Sequence, residues 1–308
     1  MERFGRSLPP KGLQALHNIV ARPNDHWWKD LLSCWQPAGY TSTAPLRLAI
    51  RRNALNFYRN GQSLGEVRFR HNGDPYCRTH AKYAFKGTSS TKYVELSGEH
   101  YLHPECGEPH RYAGLPTLTD WTLAAEAHAG EEKRLVEQLV AANSTIIDLE
   151  IGLPAFDQSR RARRIDLVAL EEQSGRIRLV FWEVKLIHDP RLVSRSHPRV
   201  LQQLDDYQKY LEEHKQVLVE AYASACRLLH TFHSMAAQAS TPRAPLDPLL
   251  RAVLEDPALL ILDPQPRLLI HDSGHASTQR HSHLASLQAQ VPIQRTQGSG
   301  PHHLGLLT

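Results

Sequence analysis

Arg164-Ile165-Asp166-Leu167-Val168-Ala169-Leu170 and Ile177-Arg178-Leu179-Val180-Phe181-Trp182-Glu183-Val184-Lys185-Leu186-Ile187 are two apolar runs separated by a polar segment that contains Ser174-Gly175. Runs rich in β-branched and aromatic residues around such a dipeptide predict two antiparallel strands joined by a tight turn. A turn centred between Ser174 and Gly175 pairs Gln173 with Arg176 and, further out, Asp166 with Glu183. Directly opposed residues share a face, with Cβ atoms about 4.5–5.5 Å apart. Glu183 and Lys185, two apart, lie on that face as well. The second run is otherwise apolar on both sides, with Leu179, Phe181 and Ile187 beside the charges and Val180, Trp182, Val184 and Leu186 opposite, so it reads as a central, doubly covered strand. Two carboxylates and an ammonium are costly there unless compensated. A divalent cation held between the carboxylates turns their repulsion into binding, and hard cations such as Mg²⁺ accept oxygen sites of this kind.

The arrangement Asp166…Glu183-Val184-Lys185 resembles the PD-(D/E)xK nuclease superfamily, and the flanking segments extend the likeness. In that superfamily a helix bearing a Glu precedes the core, an Asp lies on the second strand, (D/E)xK lies on the third, and a following helix closes the site. Glu132 stands on a plausible helix with leucines at 135 and 139; Glu131 is the alternative carboxylate there. Gln203-Leu204-Asp205-Asp206-Tyr207 matches the Gln-x-x-x-Tyr signature of the RecB-like and λ-exonuclease-like branch, and residues four apart share a helical face. The Gly that often stands three residues before the Asp is Arg163 here. The resemblance implies an α/β, restriction-endonuclease-like core, a mixed sheet flanked by helices. It also implies Mg²⁺ (or Mn²⁺) held by Asp166, Glu183 and the carbonyl of Val184, with Glu132 completing or supporting the set. Lys185 would act in hydrolysis, with Gln203 and Tyr207 as further site residues. Arg161, Arg163, Arg164 and Arg195 are placed to meet phosphates.

Upstream, residues 11–36 predict two helices divided at Pro23-Asn24, with Trp27 and Trp28 suited to core packing. From Pro45 the period changes to short alternating strands, 46–51, 54–59 and 64–70, with turns at Asn60-Gly61 and Asn72-Gly73. Arginines at 47, 51, 52, 59, 68 and 70 make this module basic, as either a phosphate-binding surface or an ordinary solvated sheet face. Cys77-x-x-His80 and His103-x-x-Cys106 could form a Cys₂His₂ zinc set, although CxxH joined to HxxC is not a common finger grammar. The expected organisation is therefore a small β-rich N-terminal domain over 1–115, a nuclease-like domain over 116–296 and a disordered tail over 297–308. A helix over about 122–143, a helix over about 199–230 and strands at 258–262 and 267–270 belong to the second domain.

Composition sets wider bounds. The chain has 308 residues, 41% hydrophobic and 22% charged, ordinary for a globular protein, and its net charge of +4 suits a polyanionic partner without establishing one. Four cysteines do not make a disulfide scaffold. No run approaches the length of a membrane span, and the first ten residues carry no apolar secretory segment, so a cytoplasmic protein with no membrane partner is expected. DNA is the expected substrate, ahead of RNA, in defence, restriction or repair. A homodimer is possible, and any motor or modification subunit would be a separate chain. The competing reading is a catalytically inactive nucleic-acid-binding or adaptor protein on the same fold.

Overall fold

The computed structural model describes residues 4–41, 46–154, 163–192, 198–239, 244–274 and 287–305. The chain is mixed α/β and divides into two compact units. One comprises Gly5–Glu137 and Ser224–Leu246, and the other Met1–Phe4, Gln138–Ala223 and Asp247–Thr308. No helix among the described residues is long and apolar enough to cross a membrane.

The first unit opens with α1 (Pro10–Ala21) and α2 (Trp27–Cys34), then lays down β1 (Arg47–Arg51), β2 (Ala54–Arg59), β3 (Gln62–Phe69) and β4 (Pro75–His80). A short α3 (Ala81–Ala84) leads to β5 (Tyr93–Leu96), and the five strands form an antiparallel meander in sequence order. Asn60 and Gly61 both have positive φ, 45° and 66°, the requirement of the tight turn whose twist matches its flanking strands. Trp28 is fully buried against Phe57 and Phe232, which accounts for the tryptophans as packing residues. Gly12 lets α1 approach Phe69 closely, because a Cβ there would meet the Phe69 ring at 2.4 Å. A minor hairpin, β6 (His100–Leu102) and β7 (Pro109–Arg111), precedes α4 (Leu115–Glu126) and α5 (Glu131–Ala142). The expected single helix over 122–143 is thus two helices with a break at Ala127–Gly130.

The second unit is built on β8 (Ile146–Leu153), β9 (Arg163–Gln173) and β10 (Arg176–Leu186), followed by α6 (Arg199–Glu213), the start of α7 (Lys215–Ala239), which passes into the first unit after Ala223, and α8 (Pro248–Glu255). It is completed by β11 (Leu260–Leu262), β12 (Arg267–Asp272) and β13 (Ile293–Gln297). Strand order is β13-β12-β10-β9-β8, with β11 also on β10; the β8/β9 and β9/β10 pairs are antiparallel and the others parallel. β10 is the central strand. Every residue from Leu179 to Leu186 is buried, and each apolar side chain among them stabilises the fold by about 1.5–3 kcal/mol relative to exposure. Ser174 and Gly175 have φ of 53° and 72°, and the β9/β10 pairing runs from Gln173↔Arg176 to Leu167↔Trp182, the register expected from the turn.

Three expectations need correction. The boundary near residue 115 is displaced, because α4 packs on α2, α3, β2 and β3 and so belongs with the meander; the division falls inside α5, between Glu137 and Gln138. The helix expected over 199–230 is two, since α6 ends at His214, whose ring stacks on Tyr210 at 4.2 Å. The tail is tethered up to residue 305, the last described: Asn143 donates to the His302 carbonyl (2.9 Å) and accepts from the Leu304 amide (2.7 Å), while Gly305 N–H donates to Gln294 (2.8 Å).

Candidate functional site

Asp166, Glu183 and Lys185 lie together in the second unit, 5%, 2% and 1% exposed. The β9/β10 ladder ends at Leu167↔Trp182, one step short of Asp166 and Glu183. There the side chain takes over from the backbone: Asp166 Oδ2 accepts the Val184 amide at 2.9 Å. Lys185 Nζ sits among three oxygens, 2.5 Å from Glu183 Oε1, 2.7 Å from the Val184 carbonyl and 3.7 Å from Asp166 Oδ2. One ammonium therefore serves two carboxylates.

The electrostatic result is concentrated on Glu183. Burial and then the neighbouring Asp166 push its carboxyl up to about 8, with Lys185 opposing. Its Oε2 is buried and makes no hydrogen bond. From α6, Gln203 Nε2 donates to Glu183 Oε1 at 2.8 Å and also to the Tyr207 hydroxyl, and Tyr207 in turn donates to the carbonyl of Arg164. Burial and the nearby Glu183 carboxylate hold the Tyr207 phenol protonated. The i, i+4 spacing read from the sequence thus brings Gln203 and Tyr207 onto the same cluster.

The donor set fits a hard divalent cation. It offers a backbone carbonyl and two carboxylates, one of which has an oxygen that is buried and unpaired, all oxygen ligands of the kind Mg²⁺ accepts. Among the described residues no group of three or more His, Cys, Asp and Glu side chains is gathered as a metal cage. Protein ligation would thus rest on Asp166, Glu183 and the Val184 carbonyl, and Mg²⁺ often keeps water in its other positions.

Glu132, half-buried, and Glu131, exposed, occupy the first turn of α5, in the portion belonging to the first unit. Arg161 and Arg195 lie outside the described residues. Arg163 is only 17% exposed at its side chain and is bound through two nitrogens to Asp206 (3.0 and 3.1 Å). Arg164, by contrast, is 66% exposed at its side chain and pairs with Glu150 at 3.2 Å.

Sequence reading missed Glu150. The pairings Leu149↔Leu167 and Ile151↔Ile165 flank it, so Glu150 on β8 lies alongside Asp166 on β9, the strand next to the one that carries Glu183. Alternation along β8 could have singled it out only if the register and the irregularity at Ile146–Asp148 had been known.

The proposed zinc set does not assemble. Cys77 is buried on β4, whereas His80, three residues on, projects from the opposite side of the strand and caps α3 by accepting the Lys82 amide. His103 Nδ1 accepts from the amides of Glu105 and Cys106, and Cys106 is exposed. Burial pushes the Cys77 thiol up to about 12, away from the thiolate that a zinc ligand needs. The meander arginines are largely occupied: Arg47 with Glu137 (2.8 Å), Arg59 with Glu126, Arg68 with Glu66 (2.7 Å) and Arg70 with Glu95 (3.5 Å). The first unit also has an open cavity of about 810 Å³ lined by Asp30, Glu99, Arg111 and Tyr112 among others. Within its lining Tyr112 donates to Asp30 at 3.0 Å and Arg111 pairs with Glu99 at 3.1 Å.

No protein-family model matches this chain, and no curated protein or solved structure is significantly similar to it.

Proposed function

We propose that the chain is a metal-dependent nuclease of the PD-(D/E)xK kind, with a restriction-endonuclease-like core in its second unit and DNA as its substrate. The observation that carries this reading is the buried, unpaired Oε2 of Glu183 beside Asp166, with one ammonium shared between the two carboxylates. A protein that wanted only a core ion pair would match one carboxylate to one cation. An excess carboxylate in the centre of a sheet has the chemistry of a cation site. The choice of DNA rests on the resemblance of the motif set and is an analogy.

Asp166, Glu183 and the Val184 carbonyl would hold Mg²⁺. When bound, the ion lowers the pKa of water and offsets charge on the phosphoryl oxygens. Asp166 is pinned by the Val184 amide, so its carboxylate reaches the site without reorganisation. Gln203 fixes the rotamer of Glu183. Lys185 places its Nζ among the site oxygens, from which it can orient a nucleophile or neutralise developing negative charge. Tyr207, as a neutral phenol, ties α6 to β9.

The test is cleavage of supercoiled, linear and single-stranded DNA with Mg²⁺ or Mn²⁺, comparing the wild type with Glu183→Ala and Lys185→Ala. Metal-dependent cutting lost in both variants is expected. Failure of either metal to support cutting of DNA or RNA would leave a nucleic-acid-binding protein as the better reading.

A further inference from the structure

Glu150 is the one non-glycine residue with positive φ inside a described strand; the others, Asn53, Asn60 and Ser174, sit at hairpin turns. A φ of 53° is unfavourable for a glutamate and persists only where surroundings over-determine it. Its side chain is 1% exposed, whereas that of its partner, Arg164, is 66% exposed. The pair is therefore lopsided: a buried carboxylate holds a guanidinium that stands in solvent. Arg164 lies two residues from Asp166, on the same face of β9. Its backbone is also fixed, since its carbonyl accepts the Tyr207 hydroxyl and it pairs with Gly152 across β8. A side chain held at one end by a buried acid, on a main chain held by a site tyrosine, presents its remaining N–H donors to solvent beside the carboxylate cluster. An exposed guanidinium held this way suits the planar, paired recognition of a phosphate.

We propose that Arg164 is the anchor that grips a backbone phosphate of the nucleic-acid strand entering the site, and that Glu150 is its positioning residue. The proposal rests on the nuclease reading for the identity of the substrate. It separates Arg164 from its neighbour Arg163, which is committed to Asp206.

Glycine adopts φ near 53° without strain, so Glu150→Gly removes the carboxylate and relieves the backbone together. A merely structural Glu150 would make this variant neutral or impaired only in stability. A positioning Glu150 makes it melt at or above the wild-type temperature yet bind substrate more weakly. The experiment uses the full chain and measures Kd for a labelled 20-mer, single- and double-stranded, in EDTA across a salt series. It adds KM and kcat with Mg²⁺ and thermal melting for wild type, Glu150→Gly, Arg164→Met and the double variant. Arg164→Met should weaken binding about tenfold and reduce the salt slope by about 1, as expected for one lost phosphate contact. Glu150→Gly should weaken binding by about three- to tenfold, raising KM more than it lowers kcat, and the double variant should match Arg164→Met, because the two act as a unit. A wild type that binds and cuts, with both single variants binding as it does or with losses that add in the double variant, overturns this proposal alone. A wild type that neither binds nor cuts sinks the nuclease reading, and this proposal with it.

Discussion

Both units bury charge, and they do so differently. In the first, Arg47 is 2% exposed and faces a single carboxylate, Glu137, while its other nitrogens donate to the carbonyls of Gln36, Pro37 and Tyr40. In the second, Lys185 is as deeply buried but is shared by Asp166 and Glu183. Burial raises the carboxyl of Glu137 as it does that of Glu183, and each has one oxygen without a partner, so neither property alone distinguishes them. The difference is charge balance. Glu137 has the guanidinium of Arg47 and then that of Arg59 against the carboxylate of Glu126, whereas at Glu183 the neighbouring Asp166 outweighs Lys185. A balanced buried pair is a structural arrangement, whereas two carboxyl groups around one ammonium are balanced without a metal only by a proton on Glu183, which a cation would displace.

The largest expected effect follows from that contrast. Lys185→Ala should lower turnover by about 10²–10⁴-fold, measured under single-turnover conditions, while changing DNA affinity only a few-fold. Near-normal turnover would remove Lys185 from the mechanism. Next, Arg47→Ala leaves Glu137 buried without its counter-charge and should cost about 3–5 kcal/mol, read by denaturant titration. A loss below about 1 kcal/mol would mean that the pair resembles an exposed bridge.

Titration sharpens the comparison further. Because the folded chain holds a proton on Glu183 up to about pH 8 and the unfolded chain releases it near pH 4.5, folding binds protons between those values. Stability of the metal-free protein attributable to Glu183 is therefore full below about pH 4.5 and declines as pH rises through about 8. Glu183→Gln should flatten the decline, and Mg²⁺ should oppose it by binding the ionised form. Melting curves at pH 5 and pH 8, with and without the ion, measure this; an unchanged slope in Glu183→Gln would show that another group governs it. The smallest effect is expected in the meander. Reversing Arg68 and Arg70 to Glu should change DNA affinity less than about twofold at physiological salt, since both arginines already face glutamates and exposed charges are screened there. A large loss would restore the meander as a nucleic-acid surface.

The hairpin that organises the second unit was legible because its information is local. Ser174-Gly175 needs positive φ, alternation sets the faces, and together they predict the register that runs from Arg176 to Trp182. Helical spacing likewise brings Gln203 and Tyr207 to one cluster. Other local signals misled. Cys-x-x-His spacing around β4 resembled a chelate, yet strand alternation sends Cys77 and His80 to opposite sides. A run of arginines looked like one basic surface, but Arg163 pairs with Asp206, forty-three residues away, while Arg164 stays exposed.

The sequence by itself determined the paired strands, the Asp166–Glu183–Lys185 constellation and the tight turns, since each depends on residues near one another or on a fixed period. Only the tertiary structure decided which charges are compensated, because a counter-ion such as Glu137 for Arg47 arrives from a helix ninety residues away. It also decided the place of Glu150, whose register opposite Asp166 depends on the irregular pairing of β8 with β9. Local rules set what a residue can do, and long-range packing sets which neighbours it has to do it with.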